Sequence, residues 1–241
     1  MRRDIRPAIT RRGKDVPAAR GKRLNKKRVA PRRGGRPSRA AAEQLGEKIL
    51  EVATGLFLTE GYGLTSIEAI ARRARISKRT FYSRFHDKAE LFGAVVHRFV
   101  ERLRPKDDAS LFNGGTLEEI LMRLAQFILR AALSPQALAL HRLILAEATR
   151  FPELAAVVTE RGGSREAVGR IATLLEREAR AGHLALENAS FAAAQFLQMV
   201  VALPQRRALG LGTPMTPPEL ESWARDTVAL FLNGCRSRLR P

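Results

Sequence analysis

The sequence predicts an all-α chain: an N-terminal three-helix helix-turn-helix unit followed by a larger helical unit. Three observations predict it. From Ala41 onward, apolar residues recur at i, i+3, i+4 and i+7, the spacing of an amphipathic helix. Helix-opening signals punctuate the chain at Thr65/Glu68, Ser77, Asp87/Glu90, Thr116/Glu119, Ser134-Pro135 and Thr216-Pro217. No stretch alternates apolar and polar residues as a half-buried strand does.

Residues 1–40 are set apart by charge. The 241-residue chain carries a net charge of +19, and residues 1–37 hold 15 Lys/Arg against two acids. That places +13 in the arm and only +6 on the remaining 204 residues. Such a balance points to a polyanionic partner. Rich in Pro and Gly and poor in large apolar groups, the arm cannot bury enough surface to offset ordering entropy. It is read as a disordered basic arm, either one that tracks phosphates or enters a minor groove, or a solvated tail without a role, with residues 1–28 absent if the chain starts at a later codon.

Ala41–Thr59 is the first ordered helix, striped by Leu45, Ile49, Val52, Ala53, Leu56 and Phe57 and stopped by Gly61. Thr65 is expected to cap a second helix, with Glu68 completing a capping box and Ala74-Arg75-Ile76 forming the turn after it. Ser77 then caps a helix to about Phe85. At about 100° per residue, Phe81 and Phe85 share its inward face, Arg79 and Ser83 its outward face, and Thr80 and Tyr82 the shoulders. A B-DNA major groove admits such a helix, and a guanidinium there meets guanine O6 and N7. Arg79 is therefore the expected base reader, and Thr80 and Tyr82 the expected phosphate contacts. Asp87 caps the helix that follows, where Lys88 in the first turn is expected to meet a phosphate.

Residues 41–87 are thus the expected DNA-binding domain, on a helix-turn-helix plan. Its expected contacts are Thr65 and Ser66 ahead of the first of the pair, Lys78, Arg79, Thr80, Tyr82, Ser83 and Arg84 on and after the second, and Lys88 beyond.

Residues 88–241 are expected to bind an effector and dimerise. The helix from Lys88 carries Phe92, Val95, Val96, Phe99, Val100 and Leu103, and Pro105 ends it. After the loop 106–115, helices are expected to Leu133, to Arg150 and, past Phe151-Pro152, to Arg161. One from Ser164 runs to Ala181, and one from Asn188 to about Arg207, with Pro204 breaking or kinking it. Thr216-Pro217 opens the last, striped by Leu220, Trp223, Ala224, Thr227, Val228, Phe231 and Cys235.

Thr65, Ile67, Ile70, Ala71, Ala74, Ile76, Ser77, Lys78, Thr80, Phe81, Tyr82, Phe85, Lys88, Leu91 and Phe92 stand at the spacing of the TetR-type transcriptional regulators, which residues 49–92 resemble. His141–Leu154 and Phe191–Leu197 resemble the second domain of the AefR-like subgroup. The resemblance implies DNA binding, a helical sensing domain, and a homodimer through the last two helices. Arg75 departs from the pattern, since the family often has Gly in this turn. A positive φ there costs a residue with a Cβ about 1 kcal/mol.

Glu147 falls on one helix face with Leu140, Ile144 and Phe151. A carboxylate there needs a partner: it is either a polar anchor for an effector or a structural pair with Arg123 or Arg130. Gln195 and Gln198 in an apolar helix raise the same choice between ligand contact and interface hydrogen bond. The four His lack ligand spacing, and Cys235 is the one cysteine, so no metal site, disulfide framework or cofactor is expected. No nucleophile elbow, Walker A loop or H-E-x-x-H run appears, so no enzymatic activity is expected. With no apolar run of about 18 residues and no apolar leader, the expected setting is cytoplasmic, at the nucleoid when DNA-bound, with no membrane contact. The expected protein is a repressor, two copies on a pseudo-palindromic operator, released by an unidentified small molecule bound among the helices between Lys88 and Ala181.

Overall fold

The computed structural model describes residues 39–104 and 108–235. Residues 1–38 of the predicted basic arm and Pro105 lie outside them, while Arg39 and Ala40, assigned to the arm from the sequence, open the first helix instead. Ten α-helices and one short 3-10 turn, Asp108–Leu111, make up the described residues, and no strand forms among them.

The first group is α1 (Arg39–Glu60), α2 (Ile67–Ala74), α3 (Lys78–Tyr82) and α4 (Lys88–Leu103). Ile49, Ala53, Leu56 and Phe57 of α1 close on Ile70 and Ala74 of α2, on Phe81, and on Leu91, Phe92, Val95 and Val96 of α4. At the centre, the rings of Phe57, Tyr62 and Phe92 lie 5.5–5.6 Å apart in tilted and edge-to-face pairs. This geometry suits the ring quadrupoles and fixes how α1 meets α4. Caps set the boundaries. Ser66 accepts from Ala69 N, Ser77 from Thr80 N and Asp87 from Glu90 N, while Glu90 accepts in return from His86 N.

The second group is α5 (Leu117–Ala132), α6 (Pro135–Glu147), α7 (Pro152–Arg161), α8 (Ser164–Arg180), α9 (Ala189–Ala208) and α10 (Pro217–Cys235). The Thr116/Glu119 capping box forms as predicted. α5, α8, α9 and α10 enclose a core of their own, with Leu121, Leu175, Ala193, Phe196, Val200 and Ala224 at its deepest points. Leu143 of α6 and Leu154 of α7 belong instead to the first core.

Pro204, expected to break or kink α9, lies inside a continuous helix. A proline has no N–H for the carbonyl four residues back. That carbonyl, Val200 O, accepts from Trp223 Nε1 of α10 at 2.9 Å. The lost helical bond becomes a bond between the last two helices.

Candidate functional site

α2 and α3 meet through a tight turn. Arg75 closes α2 at φ 57° and ψ 49°, the left-handed conformation anticipated from the sequence. Ile76 N donates to Ala71 O (2.9 Å) and Arg75 N to Arg72 O (3.1 Å). These two bonds satisfy the helix's last carbonyls and hold the strained residue in place.

α3 is one turn and a half, shorter than the predicted Ser77–Phe85. It ends at Tyr82, where Arg84 N bonds to Phe81 O three residues back (2.9 Å) and the Ser83 hydroxyl takes Thr80 O, the acceptor a continuing helix would use. Phe81 is wholly buried, and Phe85 packs beside it at the core's edge, the rings 5.8 Å apart. Arg79 points the other way, exposed and paired with none of the described residues. Thr80 is half-buried, its hydroxyl 2.8 Å from that of Ser77. Tyr82 and Ser83 are exposed, and the Ser83 hydroxyl donates to Thr80 O. Lys78, also exposed, pairs with Glu68 across the turn. Ser66 is exposed, its oxygen already engaged as the cap of α2.

Three expected contacts are turned elsewhere. Thr65 does not cap α2: it is buried, and its hydroxyl donates to Gly61 O at 2.7 Å, so the cap and the opening of the helix pass to Ser66. Arg84 reaches back to α1, its Nη2 donating to Ala42 O at 2.7 Å. Lys88 is turned toward the protein. Its ammonium donates to Tyr62 O (2.8 Å) and Thr65 O (3.2 Å) and stands 4.2 Å from the centre of the Tyr62 ring. Burial lowers its pKa, against the pull of Glu147 and Glu153. The structure also adds exposed cations that the helix-angle reading passed over, Arg72 and Arg73 in the last turn of α2. Their signal was in the sequence, since residues 61–86 hold six Lys/Arg and one acid, Glu68.

The Gly61-Tyr62-Gly63 loop joins this head to the second group of helices. Gly63 N donates to Glu147 Oε2 at 2.8 Å, so the carboxylate pairs with neither Arg123 nor Arg130. Tyr62 stacks edge-on to Phe151 at 5.1 Å, and its hydroxyl donates to Glu153. Burial, then Glu153, raises the Tyr62 pKa. A Cβ on Gly63 would meet Glu147 Oε2 and the Phe151 ring, both at 2.9 Å, so only glycine permits the approach.

A cavity of about 520 Å³ lies among α4, α5, α6, α7, α8 and α9. It matches the span predicted for an effector and extends beyond it to Leu197, Gln198, Val201 and Gln205 of α9. Of the three side chains weighed as ligand contacts, Gln198 lines it; Glu147 is spent on the loop, and Gln195 faces outward from α9, exposed. No group of His, Cys, Asp or Glu suited to a metal occurs among the described residues, and no helix among them is long and apolar enough to cross a membrane.

Comparison with known proteins gives two family matches. Residues 49–95 match the family of bacterial regulatory proteins called tetR, and residues 119–234 the C-terminal domain of AefR-like transcriptional repressors. Among solved structures, Flavonoid-responsive Regulator FrrA is 31% identical with a TM-score of 0.68, over 81% of this chain and 99% of that one. An uncharacterised HTH-type transcriptional regulator of Mycobacterium bovis, Mb1581, is 36% identical over 44% of this chain. The HTH-type transcriptional activator FasR of Mycolicibacterium smegmatis is 32% identical over 42% of it. The chain spans about half the length of these curated relatives, 50% and 40% respectively.

Proposed function

The chain belongs to the TetR family of bacterial regulatory proteins, with an AefR-like C-terminal domain, and from that premise we propose a homodimeric repressor that leaves its operator when a small molecule fills the cavity. It is a transcriptional regulator with a helix-turn-helix. The observation that carries the finer reading is α3, a short helix anchored by a buried Phe81 and presenting an exposed, unengaged Arg79. Residues 41–87 act as the reading unit and 88–241 as the sensing and dimerising unit. Two reading heads face a pseudo-palindrome with half-sites a helical turn or a multiple apart. Arg79 reads a base, while Ser66, Lys78, Thr80, Tyr82 and Ser83 contact the backbone, joined by Arg72 and Arg73 and by the basic arm. The setting is cytoplasmic, at the nucleoid.

The AefR-like match supports repression; FasR, an activator, is the reason to test the sign directly. The flavonoid response named for FrrA supports a small-molecule effector here. α6 supplies the coupling. Leu140 and Ile144 line the cavity and also touch the head's core, and Glu147, at the end of the same helix, holds Gly63 N. A ligand that moves α6 favours a dimer whose reading helices no longer match the half-sites. Effector and operator then weaken each other's binding by the same factor.

The test is capture of genomic fragments on the full chain, followed by sequencing and footprinting. A recovered inverted repeat is expected. Enrichment without any shared sequence would reduce the protein to a non-specific polyanion binder.

A further inference from the structure

The cavity's walls narrow its occupant. Phe99, Phe112 and Phe127 contribute rings, and the rest of the lining is largely aliphatic. Its charged groups are already engaged within the protein. Arg104 pairs with Glu166 at 2.5 Å and with Glu101 at 3.4 Å, and the Arg170 guanidinium lies over the Phe112 ring at 4.2 Å. A charged ligand would have to give up hydration there and compete with these contacts for the guanidinium groups. His141 is half-buried on the wall and has no hydrogen-bond partner among the described residues, a situation that the Gln205 side chain of α9 shares; of the two, only His141 sits on α6, the helix that also touches the head's core. Burial lowers its pKa, so the ring is neutral near pH 7 and offers one donor and one acceptor. A volume of about 520 Å³ lies within the usual range for drug-sized ligands, about 300–1,000 Å³.

We propose that the cavity takes an uncharged, largely aromatic molecule carrying a single hydrogen-bonding group, and that His141 reads that group. The inference rests on the reading of this cavity as the effector site. It gives a role to one of the four His whose spacing excludes a metal site.

Three probes of one shape test it by calorimetry on the full chain: 4-phenylphenol, 4-methylbiphenyl and biphenyl-4-carboxylate. The phenol is expected to bind about three- to tenfold tighter than the methyl compound, the worth of one neutral hydrogen bond. The carboxylate is expected to bind at least about tenfold more weakly than the phenol. His141→Phe should erase the preference for phenol over methyl, and His141→Gln should keep part of it. A carboxylate that binds as tightly as the phenol, or a preference that survives in His141→Phe, overturns the proposal while leaving the cavity as the site. Ala131→Trp on α5 and Ala167→Trp on α8 fill the cavity from different walls, with retained helicity checked by circular dichroism. If both bind 4-phenylphenol as the wild type does, or if no probe binds the wild type, the effector reading of the cavity falls and the proposal with it.

Discussion

Arg79 and Phe81 stand two positions apart on α3 and face opposite environments, solvent and core. Removing the guanidinium therefore leaves the fold alone and acts on recognition. Arg79→Ala is expected to cost about 1–3 kcal/mol on the best operator and to relax preference at one base position. Anisotropy titrations against operators changed one pair at a time read this, and equal loss on every sequence would reassign Arg79 to the phosphates. Lys88 calls for the opposite expectation. Its two bonds to carbonyls are internal, so Lys88→Ala should lower stability by roughly 1–3 kcal/mol in urea and leave the salt dependence of DNA binding unchanged. A salt slope reduced by about one unit would return Lys88 to the phosphate backbone. His141 adds a pH dependence. Its folded-state pKa lies below the usual 6.5, so the unfolded chain takes up the proton more readily. Its contribution to stability is complete above pH 6.5 and is lost as the pH falls from there through the folded pKa, burial being the cause. In acid titrations followed by circular dichroism, His141→Gln should lose less stability than the wild type below pH 6.5. Which face Arg79 and Phe81 take was legible in the sequence, because both follow from one helix's angles. Where Lys88 and Thr65 point was not, because their partners, the carbonyls of Tyr62, Thr65 and Gly61, belong to an irregular loop whose path no periodicity encodes.

Among the elements, caps were the most readable feature. Ser77, Asp87, Thr116, Ser134 and Asn188 all open their helices where the sequence places them, because a cap is a contact within a few residues of chain. Helix ends were harder. α3 stops three residues early and α6 stops at Glu147 rather than Arg150, in both cases without a glycine or proline at the last helical residue. The partner of Glu147 was hardest of all. Helix angles gave the face it shares with Ile144, but the donor sits 84 positions away on a loop. That bond makes α6 the element on which coupling depends. Glu147→Ala removes the acceptor for Gly63 N and frees the loop from the end of α6. The expected result is a protein that still binds 4-phenylphenol and still binds operator, but in which each ligand affects the other several-fold less than in wild type. Titrating the phenol with and without saturating operator measures this directly. Undiminished coupling would move the transmission to α4, whose Val96 and Val100 also line the cavity.

At the scale of the whole molecule, the two cores divide the labour: one orders the reading head, and the other, built from α5, α8, α9 and α10, leaves the outer surfaces of α9 and α10 open. Phe191 on α9 is 62% exposed and Leu230 on α10 is 66% exposed, and Gln195 of α9 is exposed as well. On the dimer proposed above, these side chains are buried against a second copy of the chain. A second copy of the same helices fits, because a two-fold interface sets each patch against its twin. Both side chains are exposed, so changing them should alter the monomer's stability by no more than about 0.5 kcal/mol. The double variant Phe191→Asp, Leu230→Asp should therefore fold, sediment as a monomer and lose most of its affinity for the full operator, because one reading head engages one half-site alone. Binding to an isolated half-site should stay as in the wild type, which separates lost pairing from a damaged head. Sedimentation velocity at micromolar concentration decides it: a variant that still runs as a dimer places the interface on some other face, and with it the geometry that sets the spacing of the two α3 helices.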